Sequence, residues 1–328
     1  MEMNLPSNSI ITVTGQIPPE ELGFCQCHEH LLIAPGRSGE IDPALCFHDI
    51  TRSAQEACRY RAAGGSSLVD AQPVGCGRMA SGLLEISRQA GISLVASTGF
   101  HKMRFYPEEH WIFSASSSQL RDLFIHELET GMYVDGDSHF PDSFIPARAG
   151  IIKTALDSCG LTPQYEKLFT AAAAASQETG SPIMIHVEKG SDPLLLLDFL
   201  TEQGIEPSHL IFCHLDRACS DTGIHLELAR AGCYLEYDTI GRSKYHSDDE
   251  EILYFQLLKE QNLLSQLLFS LDTTRLRLKA YSGPEAVGLD YILLVFLPLL
   301  EKAGFTSAEI RQISVLNPRK ALARRQPA

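Results

Sequence analysis

Six residues stand out because each one closes a short apolar run with a group that can bind a metal or move a proton. The first two lie in Cys27-His28-Glu29-His30. On an extended strand, residues two apart project to one face. His28 and His30 can therefore grip one cation together, while Cys25, Cys27 and Glu29 face the other way and the cysteines serve as core packing. A lone pair of this kind reads equally well as two histidines capping a strand. His186 follows Pro182-Ile183-Met184-Ile185, His214 follows Ile211-Phe212-Cys213, and Asp272 follows Leu268-Phe269-Ser270-Leu271. A single buried His is usually a hydrogen-bonded core residue, but two at equivalent strand ends, added to the first pair, are hard to ascribe to packing. A carboxylate after such a run is costly unless it is paired or metal-bound. Lys153 sits in Gly150-Ile151-Ile152-Lys153-Thr154-Ala155-Leu156, with no other charge nearby. Alone it reads as a lysine that snorkels to solvent or pairs with a carboxylate. Among four histidines and Asp272 its ammonium form is disfavoured and its pKa falls. A neutral amine can add carbon dioxide, and the resulting carbamate is a carboxylate on a long arm that can bridge two cations.

Something must bring these residues together. Eight short β-branched or aliphatic segments read as buried parallel strands: 23–28, 67–72, 93–99, 149–155, 182–187, 210–214, 233–238 and 267–272. Helical stretches at 50–63, 81–90, 119–130, 163–179, 193–203 and 222–231 alternate with them, each followed by Gly, which suits a left-handed C-cap. Helical segments at 248–261 and 290–303 flank the eighth strand, and a last turn at 317–323 closes the chain. Such alternation fits a closed barrel or a doubly wound open sheet. The six residues end the first, fourth, fifth, sixth and eighth strands, and only a closed ring brings those five ends around one axis. The expectation is an α/β fold, a single (β/α)8 TIM barrel over residues 1–328 with a short N-terminal extension and C-terminal helices.

Bulk properties agree. The chain has 328 residues, 44% of them hydrophobic, enough for one large core. A net charge of -14 disfavours nucleic acid and anionic membranes as partners. The longest apolar stretch, 291–300, is too short to span a bilayer and contains Pro298. Residues 1–10 carry no basic start followed by an apolar run, and the nine cysteines are odd in number and scattered, so the reading is reduced thiols in the cytoplasm. The expected partner is a small molecule; a homodimer stays open.

The sequence resembles the phosphotriesterase family of the amidohydrolase superfamily. The resemblance runs from Gly23 and His28-Glu29-His30 through Val69-Asp70, Gly75-Cys76-Gly77-Arg78, Ser97-Thr98-Gly99-Phe100, Gly150-Ile151-Ile152-Lys153, His186 and His214-Leu215-Asp216-Arg217 to Ser270-Leu271-Asp272 and Asn317-Pro318. It implies that His28 and His30 bind a buried α metal, that carboxylated Lys153 bridges both metals, that His186 and His214 bind the more exposed β metal, and that Asp272 completes the α site. Nitrogen and oxygen ligands suit zinc; the family resemblance adds manganese or cobalt as substitutes. Two cations can share a water and lower its pKa to about 7, giving a metal-bridging hydroxide, with Asp272 as the catalytic group that carries its proton. Asp216 either orients a ligand or is a surface aspartate.

The loops after the seventh and eighth strands carry Arg242, Lys244, His246, Arg275, Arg277 and Lys279. Barrel enzymes frequently bind phosphate there. Lys244 and Arg275 follow their strand ends closely and together could hold a phosphomonoester, the bland alternative being solvated loop charge. His101, Lys102, Arg104 and Tyr106, after the third strand, either join the rim or lie at the surface. Members of the family open lactones, including sugar lactones that carry a phosphate; others hydrolyse acyl-homoserine lactones or organophosphate triesters. Polar, cationic loops favour the phosphorylated sugar lactone. The rival of another class is a non-catalytic metal-binding or regulatory protein on the same scaffold.

Overall fold

The computed structural model describes residues 8–326; Met1 to Ser7, which bear on the reading of an export signal, lie outside the described residues, as do Pro327 and Ala328. Eight parallel strands follow one another around the sheet in chain order: β1 (Cys25–Glu29), β2 (Ser67–Asp70), β3 (Ser93–Gly99), β4 (Ile151–Leu156), β5 (Ile183–Val187), β6 (Leu210–Cys213), β7 (Tyr234–Tyr237) and β8 (Leu267–Phe269). Helices α1 (Ile50–Ala62), α2 (Ala80–Ala90), α3 (Ser117–Glu129), α4 (Pro163–Thr179), α5 (Pro193–Glu202), α6 (Thr222–Ala231) and α7 (Asp248–Glu260) form the outer layer. Short connections from strand to helix and back permit only parallel neighbours, which gives the barrel the residue pattern anticipates. Beyond β8, the expected helix at 290–303 begins as a π-helical stretch, Ile292–Phe296, before regular α-helix at Leu297–Lys302.

The ring closes where β8 runs into β1. Asp272 N–H donates to His28 O at 3.1 Å. The buried Glu29 carboxylate then accepts from Leu271 N at 2.8 Å, Thr273 N at 3.2 Å and Thr273 Oγ1 at 2.7 Å. A side chain here supplies the acceptors that a strand ladder would otherwise provide. Burial pushes Glu29 up to about 8, against the pull of those donors.

The barrel interior is filled by Cys25, Cys27, Val69, Val95, Ile151, Met184, Ile211, Cys213 and Leu268. A hairpin, Ile10–Thr12 with Gly15–Ile17, seals the end opposite the site: Val13 N–H donates to Leu94 O at 2.8 Å, near the start of β3. Neither this hairpin nor a second one, Met132–Tyr133 with Phe144–Ile145, is foreseen from sequence.

One orientation is corrected. Cys25 and Cys27 pack inside the barrel with the site residues rather than facing away from His28. The pairing of β1 with β2 shifts register between Gln26 and Glu29, so three steps on β1 match two on β2. The additional residue reverses the alternation and lets Cys25, Cys27, His28 and His30 all belong to the interior.

Candidate metal centre

The C-terminal ends of β1, β4, β5, β6 and β8 converge as the spacing requires. Lys153 is 1% exposed, and its Nζ lies 3.2 Å from His28 Nε2. Asp272 Oδ1 lies 3.5 Å from His30 Nε2 and 3.9 Å from His28 Nε2. His28 and His214 rings have centroids 4.7 Å apart, and His186 and His214 rings 4.4 Å apart. All six predicted metal-binding residues thus meet at one end of the barrel, each of them buried.

Backbone geometry bends toward the same point. Among the described non-glycine residues with left-handed φ are His214, at 66°, and Asp272, at 47°. Such conformations cost about 1–3 kcal/mol and persist where surrounding contacts impose them. At β3, Gly99 has a φ of 98°, and a Cβ there would stand 1.9 Å from Lys153 O. Only glycine lets β3 approach the lysine's strand so closely.

Electrostatics prepare the groups as ligands. Burial lowers Lys153 from its ordinary range, against the pull of the surrounding acids. Burial, reinforced by Lys153, drives His28 well below normal, and burial with Arg217 does the same to His214. Burial brings His186 down to about 4 although Glu188 opposes it. Burial thus favours the neutral, lone-pair-bearing form of each of these nitrogens. Burial alone would raise Asp272, yet Arg217 and Arg242 overcome it and hold the carboxylate well below its usual range. Arg217 Nη1 donates to Asp272 Oδ2 at 2.8 Å and Arg242 Nη1 at 3.2 Å, while Arg242 Nη2 donates to Asp272 O. Oδ1 is left facing His28 and His30, at the end of β1 and just beyond it.

The donor set fits divalent cations. His28, His30 and Asp272 offer ligand atoms all within 4.8 Å of one another, and so do His214, Asp238 and Asp272. His214 Nδ1 bonds Asp238 Oδ1 at 2.6 Å, which fixes the tautomer and leaves Nε2 for the site. His186 joins neither group; its Nε2 lies 3.1 Å from Glu188 Oε2.

Four residues with roles here carry no assignment from sequence: Arg217, Glu236, Asp238 and Arg242. Glu236 Oε2 lies 3.5 Å from His28 Nδ1. Asp238 was legible, because it ends a strand run as His214 and Asp272 do. Asp216 is 4% exposed and is no surface aspartate. Its Oδ2 accepts from Asp238 N at 3.0 Å and Thr239 N at 2.7 Å, which fixes the end of β7 that orients His214. Lys244 and Arg275 lie farther out, exposed on their loops. Lys244 Nζ sits 4.9 Å above the Tyr245 ring, which also receives Arg217 at 5.2 Å and Arg242 at 5.8 Å. Arg275 lines a surface cavity of about 590 Å³ with Gly36, Glu40, Cys46 and His48. His101, Lys102 and Tyr106 are partly or fully buried at the rim, whereas Arg104 is exposed.

Comparison with known proteins agrees with this geometry. The model of the phosphotriesterase family matches residues 8–322. The chain is 31% identical over 299 residues to the phosphotriesterase homology protein of Escherichia coli, covering 90% of this chain and 96% of that one. It is 28% identical over 320 residues to a phospho-furanose lactonase of Mycoplasmopsis synoviae, covering 95% and 91%. A solved structure of an amidohydrolase from Mycoplasma synoviae superposes with a TM-score of 0.93 at 28% identity, covering 99% of this chain and 94% of that one. A barrel of eight parallel strands with four buried histidines, a buried lysine and a twice-clamped aspartate at its mouth, matched from end to end by one family model, places this chain in the phosphotriesterase family.

Proposed function

We propose that the protein is a metal-dependent lactonase that opens a phosphorylated sugar lactone. The observation that carries the reading is the meeting of Lys153, His28, His30 and Asp272 at one buried point, with Asp272 Oδ2 held by two guanidiniums and Oδ1 facing His30 and His28. His28, His30 and Asp272 would hold one cation and His186 and His214 the other, with Lys153, carboxylated on Nζ, as a ligand to both. Zinc suits this nitrogen and oxygen set. When bound, the cations supply Lewis acidity, polarising the ester carbonyl and acidifying the attacking water.

The chain's own groups do the rest. Asp272 Oδ1 takes the proton of the attacking water and returns it to the ring oxygen as the C–O bond breaks, so that water and lactone become one hydroxy acid. Arg217 and Arg242 keep Asp272 ionised and in one rotamer. Asp238 holds His214 with its Nε2 toward the centre. Lys244 and Arg275 receive the substrate phosphate. Lys244 is well placed for this, because Arg217 and Arg242 share the Tyr245 ring with it and make that flank of the mouth cationic. A relative named as a phospho-furanose lactonase supports the same substrate class.

The test is a substrate screen on zinc- and manganese-loaded protein, with metal content measured alongside. Phosphorylated aldonolactones should turn over faster than plain lactones, and both faster than paraoxon-like triesters. Faster triester turnover would replace this reading with a phosphotriesterase, and a metal-loaded protein inert to every ester would replace it with a binding protein.

A further inference from the structure

The mouth of the barrel holds an ion pair, Lys102 with Glu188, that lies outside the six metal-site residues and the phosphate cations and touches the former only through His186. Glu188 lies two residues beyond His186, so both project to the same side of the extended chain leaving β5. Its Oε2 accepts from Lys102 Nζ, in the loop after β3, and lies 3.1 Å from His186 Nε2. Among the described residues no hydrogen bond to Oε1 is found, and the side chain is 32% exposed. The Lys102 side chain is 10% exposed, and its ammonium rests 5.6 Å over the Phe105 ring. With one of three ammonium protons spent on Glu188, two stay available.

A tether between two loops is a poor explanation for this pair. Exposed ion pairs contribute only about 0–1 kcal/mol, and this one adds the cost of withdrawing a lysine from water. Its chemistry selects a ligand. An anion arriving here meets Glu188, and a cation meets Lys102. An alkyl chain would cover both charges without replacing their water, which is costly. A hydroxyl suits both, donating to the carboxylate and accepting from the ammonium, and neighbouring hydroxyls on a ring suit them best.

We propose that Glu188 and Lys102 form a subsite for the ring hydroxyls of the lactone, and that this pair, rather than the phosphate cations, discriminates sugar lactones from alkyl lactones. This rests on the lactonase reading above. It adds a recognition element beside His186, on the β3 and β5 side of the mouth, distinct from the loops after β7 and β8.

The test compares a phosphorylated aldono-1,4-lactone with its ring-deoxy counterpart, both keeping the phosphate. Glu188→Gln and Lys102→Met are assayed in metal-loaded protein, metal content is determined for each variant, and the affinity of the two lactones is measured calorimetrically on slowly turning-over Asp272→Asn protein with and without the second change. A charge-assisted hydrogen bond to a hydroxyl corresponds to roughly 10- to 100-fold. Each variant should therefore lower the preference for the hydroxylated over the deoxy lactone by that factor, in kcat/KM and in affinity, with metal content unchanged. Equal losses on both lactones would overturn the proposal in favour of a positioning role for the pair. Loss of bound metal in Glu188→Gln would overturn it in favour of a ligand role. If the unaltered, metal-loaded protein opens no lactone at all, the lactonase reading falls and takes the subsite with it, a result that the preference ratio cannot imitate.

Discussion

Asp272→Asn separates the electrostatic work of this site from its shape. Asp272 Oδ2 accepts from Arg217 at 2.8 Å and Arg242 at 3.2 Å, and Oδ1 faces His30 and His28. An amide must turn its oxygen toward the guanidiniums, because its NH2 would otherwise meet two cationic donors. The NH2 then faces the histidine nitrogens and has no lone pair for a cation. Two consequences follow. Each guanidinium contact falls from charge-assisted to weaker, a loss of about 1–1.5 kcal/mol per contact or about 2–3 kcal/mol for the two, so metal-free protein should melt roughly 3–4 °C lower. Turnover should fall by about 10²–10⁴, the usual worth of a positioned proton carrier, while the cation held by His186 and His214 stays bound. The assay is thermal unfolding with and without chelator, metal stoichiometry and lactone turnover, repeated for Arg242→Met and for the double variant. With one guanidinium already gone, the asparagine should cost less, giving a coupling of about 1–2 kcal/mol. Turnover within a few-fold of the unaltered protein, or additive stabilities, would refute the reasoning.

Lys153→Ala should lose bound metal and turnover together, with partial recovery on adding short carboxylic acids that take the carbamate's place; full metal content in this variant would remove the bridging role. Lys244→Ala and Arg275→Ala should each lower kcat/KM roughly 10- to 100-fold on a phosphorylated lactone, about 1.5–3 kcal/mol per contact, and barely affect its unphosphorylated analogue, whereas equal losses on both substrates would return them to solvated loop charge. His246 offers a test by pH: burial opposes its charge, but Glu251, 3.0 Å away, raises it from 6.5 to about 9. A raised histidine contributes stability in full below pH 6.5 and loses it as pH rises through about 9. Glu251, raised by burial from 4.5 to about 8, acts in the same direction. Metal-free His246→Gln should therefore show a shallower fall in Tm between pH 6.5 and 9, and an unchanged slope would exclude His246 as its source.

How much of this is written in the sequence depends on the range over which each feature is specified. The strand bodies are local: runs such as Leu210–Cys213 and Ile183–Val187 are apolar on both faces because helices cover one side and the barrel axis the other. Their ends are equally legible, since His186, His214 and Asp272 interrupt apolar runs where a polar group has no packing reason to be. The register shift in β1 is not local. It shows only in the pairing of β1 with β2, about 40 residues on in the chain, and so strict alternation misplaced Cys25 and Cys27. The clamp on Asp272 is hidden for the same reason. Arg217, on the short helix after β6, and Arg242, in the loop after β7, are 25 residues apart in sequence, and neither position shows locally that it meets Asp272; only the closed ring brings both guanidiniums to one carboxylate oxygen.

Asp238 differs from these cases, because its signal was local. It ends the seventh strand run as plainly as Asp272 ends the eighth. It escapes a search for metal ligands because it acts through another residue, giving His214 the tautomer that a ligand needs. A strand-end acid in such a barrel thus has two possible uses, and the chain's distribution of histidines decides between them. Where the neighbouring strand ends in His, as β6 does before β7, the acid faces an imidazole Nδ1 and holds it. Where the neighbour across the closure carries histidines already turned toward the axis, as β1 does beside β8, the acid faces their Nε2 atoms and joins them in the site. The order of residue types around the ring, more than any one motif, therefore determines which carboxylate meets the cations and which one aims the histidine.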